Sequence, residues 1–204
     1  DYVVINERAK NPIYLNVKNG EKAGTMNISF AGSLTNFYTT SDKDGNILFT
    51  NLTPNAGPAF TLWKASGVDQ APEKYIEFPT SLAMGRKLSV SGSLNNNAII
   101  TAPIYATSGQ FARWQVEKGV LKSQTPDIIT AQGIGGWGTN ADVIYSDPTD
   151  PTSDYFTTFY AEPRNLCWMD GKTNSIKNKG VALDGNYVPN AVDHAVFNKV
   201  EYVA

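Results

Sequence analysis

Phe37-Tyr38-Thr39-Thr40, then Ser41-Asp42-Lys43-Asp44-Gly45-Asn46, then Ile47-Leu48-Phe49-Thr50 reads as a strand, a turn and a second strand. Aromatic and β-branched residues suit a pleated, half-buried surface, and Asp-Gly between two apolar runs is the strongest short hairpin signal. The same grammar recurs along the chain. Lys87 to Gly92 leads through Leu94-Asn95-Asn96-Asn97 into Ala98 to Ala102. Ala141 to Ser146 leads through the long turn Asp147 to Asp154 into Tyr155 to Tyr160. His194-Ala195-Val196-Phe197 turns at Asn198-Lys199 and enters Val200. With the opening run Tyr2-Val3-Val4-Ile5, the second strand of each unit starts near residues 2, 47, 98, 155 and 200.

A second marker runs in step with the hairpins. Trp63, Trp114 and Trp168 stand 51 and 54 residues apart, and Leu15 lies 48 before the first. Each closes an apolar run and is followed within a few residues by a Gly-containing turn: Lys18-Asn19-Gly20, Ser66-Gly67, Lys118-Gly119 and Asp170-Gly171. A further strand-like segment follows each turn. Large side chains at a fixed place in each unit are the expected filling between packed sheets, with all three tryptophans in equivalent positions.

Helical periodicity is scarce, while Gly (17) and Pro (11) punctuate short apolar runs throughout, so the chain reads as all-β. Units of four strands repeating about every 50 residues predict a β-propeller. A four-stranded sheet has two faces to cover, and stacking sheets around an axis buries both. The expected blades span 36–78, 87–129 and 141–183, with partial blades at 1–30 and 193–204. Residues 1–204 thus read as a single propeller segment. The head supplies strands two to four of a blade and the tail strands one and two, so no clean ring closes. That predicts an arc of about four blades from a larger propeller. A β-sandwich or jelly roll of about twelve strands is the competing arrangement, and equal spacing of the units argues against it. Both ends fall inside strand patterns, which suggests a mature or truncated piece of a longer protein.

With the repeat in view, Gly109-Gln110-Phe111-Ala112-Arg113-Trp114-Gln115-Val116 and Ser123-Gln124-Thr125-Pro126-Asp127-Ile128-Ile129 resemble uncharacterised β-propeller proteins of gut Bacteroidetes. Tyr14-Leu15-Asn16-Val17-Lys18-Asn19-Gly20-Glu21, Asp44 to Leu52 and Trp168-Met169-Asp170-Gly171-Lys172-Thr173-Asn174 are similar to the same group. The resemblance covers most of the chain and includes no catalytic motif. It implies an exported lipoprotein at the cell surface or in the periplasm, held to the outer membrane by a lipid anchor that this sequence lacks. Neighbouring nutrient importers are the implied partners.

Composition narrows the chemistry. Of the 204 residues, 41% are hydrophobic and 18% charged, with 17 Lys and Arg against 19 Asp and Glu. A net charge of −2 offers no footprint for a phosphate backbone, so nucleic acid is not expected as a partner. No apolar run is long enough to span a bilayer. One Cys and one His rule out a disulfide framework and a multi-histidine or Cys-based metal site. Asp193 and His194 are adjacent and point to opposite faces of a strand, and no nucleophile elbow occurs. Cys167, beside Trp168, reads as a small buried hydrophobe. Arg86 and Arg113 are read as pairing at the surface or between sheets, with a central channel as the other choice.

Two acidic stretches invite a calcium reading. Asp147-Pro148-Thr149-Asp150-Pro151-Thr152-Ser153-Asp154 carries three carboxylates but neither the sharp Gly bend nor the closing Glu of a calcium loop, and reads as a turn. Asp42-Lys43-Asp44-Gly45-Asn46 has Thr53 where a bidentate Glu belongs, and reads as the hairpin described above. No metal or cofactor is expected. Gln132-Gly133-Ile134-Gly135-Gly136-Trp137-Gly138-Thr139-Asn140 holds the one tryptophan outside the repeat. It lacks a phosphate-binding glycine register. Trp137 with Asn140 and Gln132 can stack on a sugar or anchor a peptide, and these three are the expected ligand-binding residues; packing of Trp137 over a sheet end is the other reading.

The sequence therefore predicts a non-catalytic, surface-exposed binding or assembly module of a bacterial envelope protein, without catalytic residues. Its ligand would be a glycan, a peptide or a partner envelope protein such as an outer-membrane nutrient importer. The alternative is a glycan-active hydrolase or lyase drawing carboxylates from different blades, which no spacing rule would reveal.

Overall fold

Turn chemistry sets where the strands end. Lys118 and Gly119 both adopt positive φ, 50° and 80°, and close a two-residue hairpin between Glu117 and Val120. Gly92, at φ 89°, ends a strand where a Cβ would strike the Asn97 carbonyl and stand 2.6 Å from Pro148 of a neighbouring sheet. The computed structural model describes residues 2–5, 10–28, 37–51, 59–79, 88–104, 107, 109–133, 142–158, 165–182, 194–197 and 200–203.

Among these residues every element is a strand and every pairing is antiparallel. The first sheet is β1 (Tyr2–Ile5), β2 (Ile13–Asn16) and β3 (Lys22–Thr25). The second is β4 (Phe37–Ser41), β5 (Ile47–Asn51), β6 (Ala59–Ala65) and β7 (Glu73–Pro79). The third is β8 (Ser89–Gly92), β9 (Asn97–Pro103) and β10 (Gln110–Glu117), with β11 (Val120–Leu121) and β12 (Asp127–Thr130) both pairing with β10. The fourth is β13 (Val143–Tyr145), β14 (Tyr155–Thr158), β15 (Asn165–Met169) and β16 (Ile176–Ala182). A hairpin follows, β17 (His194–Phe197) with β18 (Val200–Val203). The strands divide into small sheets, each continuous in sequence, and not into two large opposed ones. Among the described residues there is no helix, and none long and apolar enough to cross a membrane.

Alternation along the strands gives the second, third and fourth sheets two apolar faces each, and the first four sheets pack in chain order. Ile47, Phe49 and Ala65 of the second sheet meet Met26, Ile28, Val4 and Tyr14 of the first. Its opposite face, with Leu48, Leu62 and Ile76, meets Val90, Ile100 and Trp114 of the third. The third then packs Ile99 and Phe111 on Val143, Tyr145, Tyr155 and Cys167 of the fourth. Polar contacts join the third and fourth sheets. The Ser89 and Ser91 hydroxyls accept the Val143 and Tyr145 amides at 3.3 and 2.8 Å, and the Thr101 hydroxyl donates to the Val143 carbonyl at 3.1 Å.

The repeat is visible in the registers. β3 slips against β2 between Tyr14 and Leu15, β7 against β6 between Leu62 and Trp63, and β16 against β15 between Trp168 and Met169. At the same place in the third sheet the partner of β10 changes from β12 to β11, either side of Trp114 and Gln115. Every third strand thus meets its fourth through an irregularity at the Leu15 or tryptophan position.

The tryptophans themselves are not all equivalent, which corrects the sequence expectation. Trp63 lies opposite Phe49 and Trp114 opposite Ile100, each two residues beyond the pair that closes the first hairpin, Ser41–Ile47 and Gly92–Ala98, and both face the preceding sheet. Trp168 lies opposite Phe156, one step nearer the turn, so it faces the other way. Cys167, opposite Thr157 and fully buried, takes the place that Trp63 and Trp114 hold. Trp114 is 2% exposed and fills the space between sheets, whereas Trp168 is 38% exposed.

Candidate functional site

The first and second sheets meet over a groove. Tyr2, Val3 and Val4 of β1 and Thr39, Thr40 and Ser41 of β4 line it, together with Gly45, Ile47, Gly67 and Val68. The cavity there measures about 620 Å³. Val68 also borders an adjoining cleft of about 500 Å³, lined by Tyr14, Thr25, Asn27, Asp69, Gln70 and Pro72 among others. Val68, in the turn between β6 and β7, thus lines both.

Local geometry fixes the aromatic side chains. Tyr2 and Tyr14, near each other on β1 and β2, meet edge to face with centroids 5.2 Å apart. Gly24 lies opposite Tyr14 in the register, and a Cβ there would collide with the Tyr14 phenol. Its absence lets the ring lie across β3. The Tyr14 hydroxyl donates to Asp69 Oδ1 at 2.8 Å, joining the first sheet to the turn of the second. That bond holds the Tyr14 phenol above its ordinary value. Tyr2 is 48% exposed. Two tyrosine rings, the four hydroxyls of Thr25, Thr39, Thr40 and Ser41, and the amides of Asn27 and Gln70, with Asp69 the one carboxylate among the described lining, suit recognition by stacking and hydrogen bonding.

The residues expected to bind ligand are placed elsewhere or lie outside the described residues. Gln132 is exposed in the turn after β12, where its amide donates to the Asn174 carbonyl of the fourth sheet at 2.6 Å. Trp137 and Asn140, like Arg86, fall outside the described residues. The side chain of His194 does so too, although its backbone lies in β17. Tyr2, Tyr14 and Asp69 were not legible as site residues, because tyrosines alternating in strands read as ordinary sheet packing.

The other candidates resolve into structure. Asp147 Oδ1 accepts the Thr149 amide and hydroxyl, and Asp150 Oδ1 does the same for Thr152. Asp154 accepts the Trp168 indole N–H, the Lys177 ammonium and the Gly171 amide. The loop's carboxylates are engaged in turns and pairing, and no cluster of metal-ligating side chains occurs among the described residues. Asp42 is the pivot of the first hairpin, as its sequence indicates. Arg113 bridges sheets: it donates to the Pro151 carbonyl, to the Tyr145 hydroxyl at 3.2 Å, and to Asp127 at 2.9 Å in its own sheet. Burial pushes the Cys167 thiol up, as befits a packing residue.

Known proteins add fold and family. The chain is similar to the crystal structure of a DUF4623 family protein from Bacteroides eggerthii DSM 20697, at 14% identity and a TM-score of 0.69. The match covers 99% of this chain and 47% of the other, so residues 1–204 span about half the length of that neighbour. At that identity the likeness shows the fold. No curated protein matches the chain. The model of a domain of unknown function, DUF8500, matches residues 1–204, and the chain belongs to that family.

Proposed function

We propose that the chain is a non-catalytic binding or assembly module of a bacterial envelope protein, built as an arc of about four blades of a larger β-propeller. In this reading it works at the cell surface or in the periplasm, tied to the outer membrane by a lipid anchor carried outside residues 1–204. Its ligand is a glycan, a peptide or a partner envelope protein such as a nutrient importer. Sheets that pack face to face in chain order, with first strands stitched side by side, support the propeller arc. The similarity to a Bacteroides protein about twice as long supports both the larger ring and the bacterial setting.

The observation that carries the binding reading is the groove between the first two sheets, with its Tyr2–Tyr14 pair and its border of hydroxyl and amide groups. The test is a glycan array and a panel of extended peptides probed with purified protein, repeated with Tyr14→Ala and Asp69→Asn. A ligand whose affinity falls tenfold or more in the variants, about 1.4 kcal/mol, supports the site. Equal binding by variants and parent, or release of new reducing ends from a bound glycan, overturns it.

A further inference from the structure

We infer that the cleft beside Tyr14 and Asp69 is a saccharide site, and that its ligand is a neutral sugar residue presenting two adjacent hydroxyls. This rests on the binding reading above and names the class of ligand.

The cleft of about 500 Å³ falls within the range of ligand pockets, about 300–1,000 Å³, and none of its lining comes from β1. Residues of β2, of β3 and the segment after it, and of the turn between β6 and β7 line it. Its apolar part is anchored in the core: Met26 is buried, and Tyr14 and Val68 pack on the same cluster. Its polar part includes Thr25, Asp69 and Gln70, all exposed. A sugar ring is divided in the same way, with an apolar C–H face and a rim of hydroxyls.

The polar groups are set in advance. The Tyr14 hydroxyl donates to Asp69 Oδ1 at 2.8 Å, from the first sheet to the turn of the second. The Gln70 backbone amide donates to the Gly67 carbonyl at 3.2 Å and closes the turn that carries both side chains. Among the described residues the Tyr14 bond is the one hydrogen bond of the Asp69 carboxylate, so Oδ2 is open to a ligand. A carboxylate and a primary amide on consecutive residues can accept from one hydroxyl and donate to the next. Asp69 is also the one charged side chain among the described lining of this cleft. With no Lys or Arg beside it, the cleft opposes a uronate or another anionic sugar. A lone exposed carboxylate holds a cation weakly, which leaves neutral hydroxyls as its fitting partners.

The test is an NMR titration of the whole chain with methyl glucoside, methyl galactoside and methyl mannoside, and with the matching uronides, in which a carboxylate replaces the C6 hydroxymethyl group. At least one neutral glycoside shifts the backbone amides of residues 25–27 and 68–71 saturably, and its uronide binds at least tenfold more weakly. Asp69→Asn and Gln70→Ala each weaken that glycoside at least fivefold; the second alters an exposed side chain outside the Tyr14–Asp69 bond, so its effect is not a loss of fold. Equal affinity for glycoside and uronide, shifts confined to other amides, or unchanged affinity in either variant overturns the inference. If no glycoside binds while an extended peptide binds in a Tyr14-dependent way, the sugar inference fails and the binding module stands. If neither binds, both fail.

Discussion

Asp42 shows how one side chain ties a turn to a neighbouring sheet. It is 7% exposed, and Oδ1 accepts the amides of Asp44 and Asn46 at 3.0 and 2.8 Å. Oδ2 accepts Asn46 Nδ2 at 2.7 Å and, 52 residues away, the Leu94 amide at 2.9 Å. Removing the carboxylate leaves buried amides with no partner, at a cost of about 2–3 kcal/mol. Asp42→Ala should lower stability to denaturant by that amount, whereas Asp44→Ala, on the exposed side of the same turn, costs under about 1 kcal/mol. The phenols between the third and fourth sheets make a second residue-level prediction. Burial pushes both Tyr145 and Tyr155 above the ordinary value of about 10. A folded pKa raised above the unfolded one means that stability is complete below pH of about 10 and is lost as pH rises beyond it. Melting temperature followed from pH 8 to 11 should fall along an alkaline limb, and Tyr155→Phe should make that limb shallower.

At the scale of elements, the turns and the strand-to-strand offsets decide the outcome. Gly92→Ala combines positive φ with collisions against Asn97 and Pro148, and should destabilise by more than about 2 kcal/mol. The two structural environments of tryptophan give another contrast. Trp114→Ala opens a cavity between sheets at about 3–5 kcal/mol, while Trp168→Ala, at a site 38% exposed, should cost less than half as much in the same denaturant titration. Hairpins such as 37–51 were legible in the sequence because Asp-Gly and Lys-Gly pairs dictate backbone geometry locally. The one-step offset of Trp168 was not. It is set by the register of β14, where Tyr155 directly after the Asp147–Asp154 turn pairs with both Tyr145 and Met169, and residue spacing carries no trace of that. Cys167 gave no sign of replacing a tryptophan, because a small buried thiol and a large ring share only their apolarity. The site was hidden for a related reason: Tyr2 and Tyr14 stand in strand patterns that read as ordinary sheet packing.

For the molecule as a whole, the sequence's 50-residue rhythm carries over into sheets that stack in chain order, each apolar face meeting the next. Charge plays a local part: Arg113 and Asp154 pin sheet edges and loops without creating a field of one sign. Stability and site are linked, because the candidate groove lies at the junction of the first two stacked sheets. The stacking is therefore the claim on which the rest turns, and the Tyr145 amide reports it directly. That N–H donates to the hydroxyl of Ser91, 54 residues earlier and in the preceding sheet. Site-resolved hydrogen exchange should show Tyr145 exchanging at least tenfold faster in Ser91→Ala than in the parent, with the β10 amides unchanged. Identical Tyr145 exchange in the two proteins would contradict the stacked arrangement.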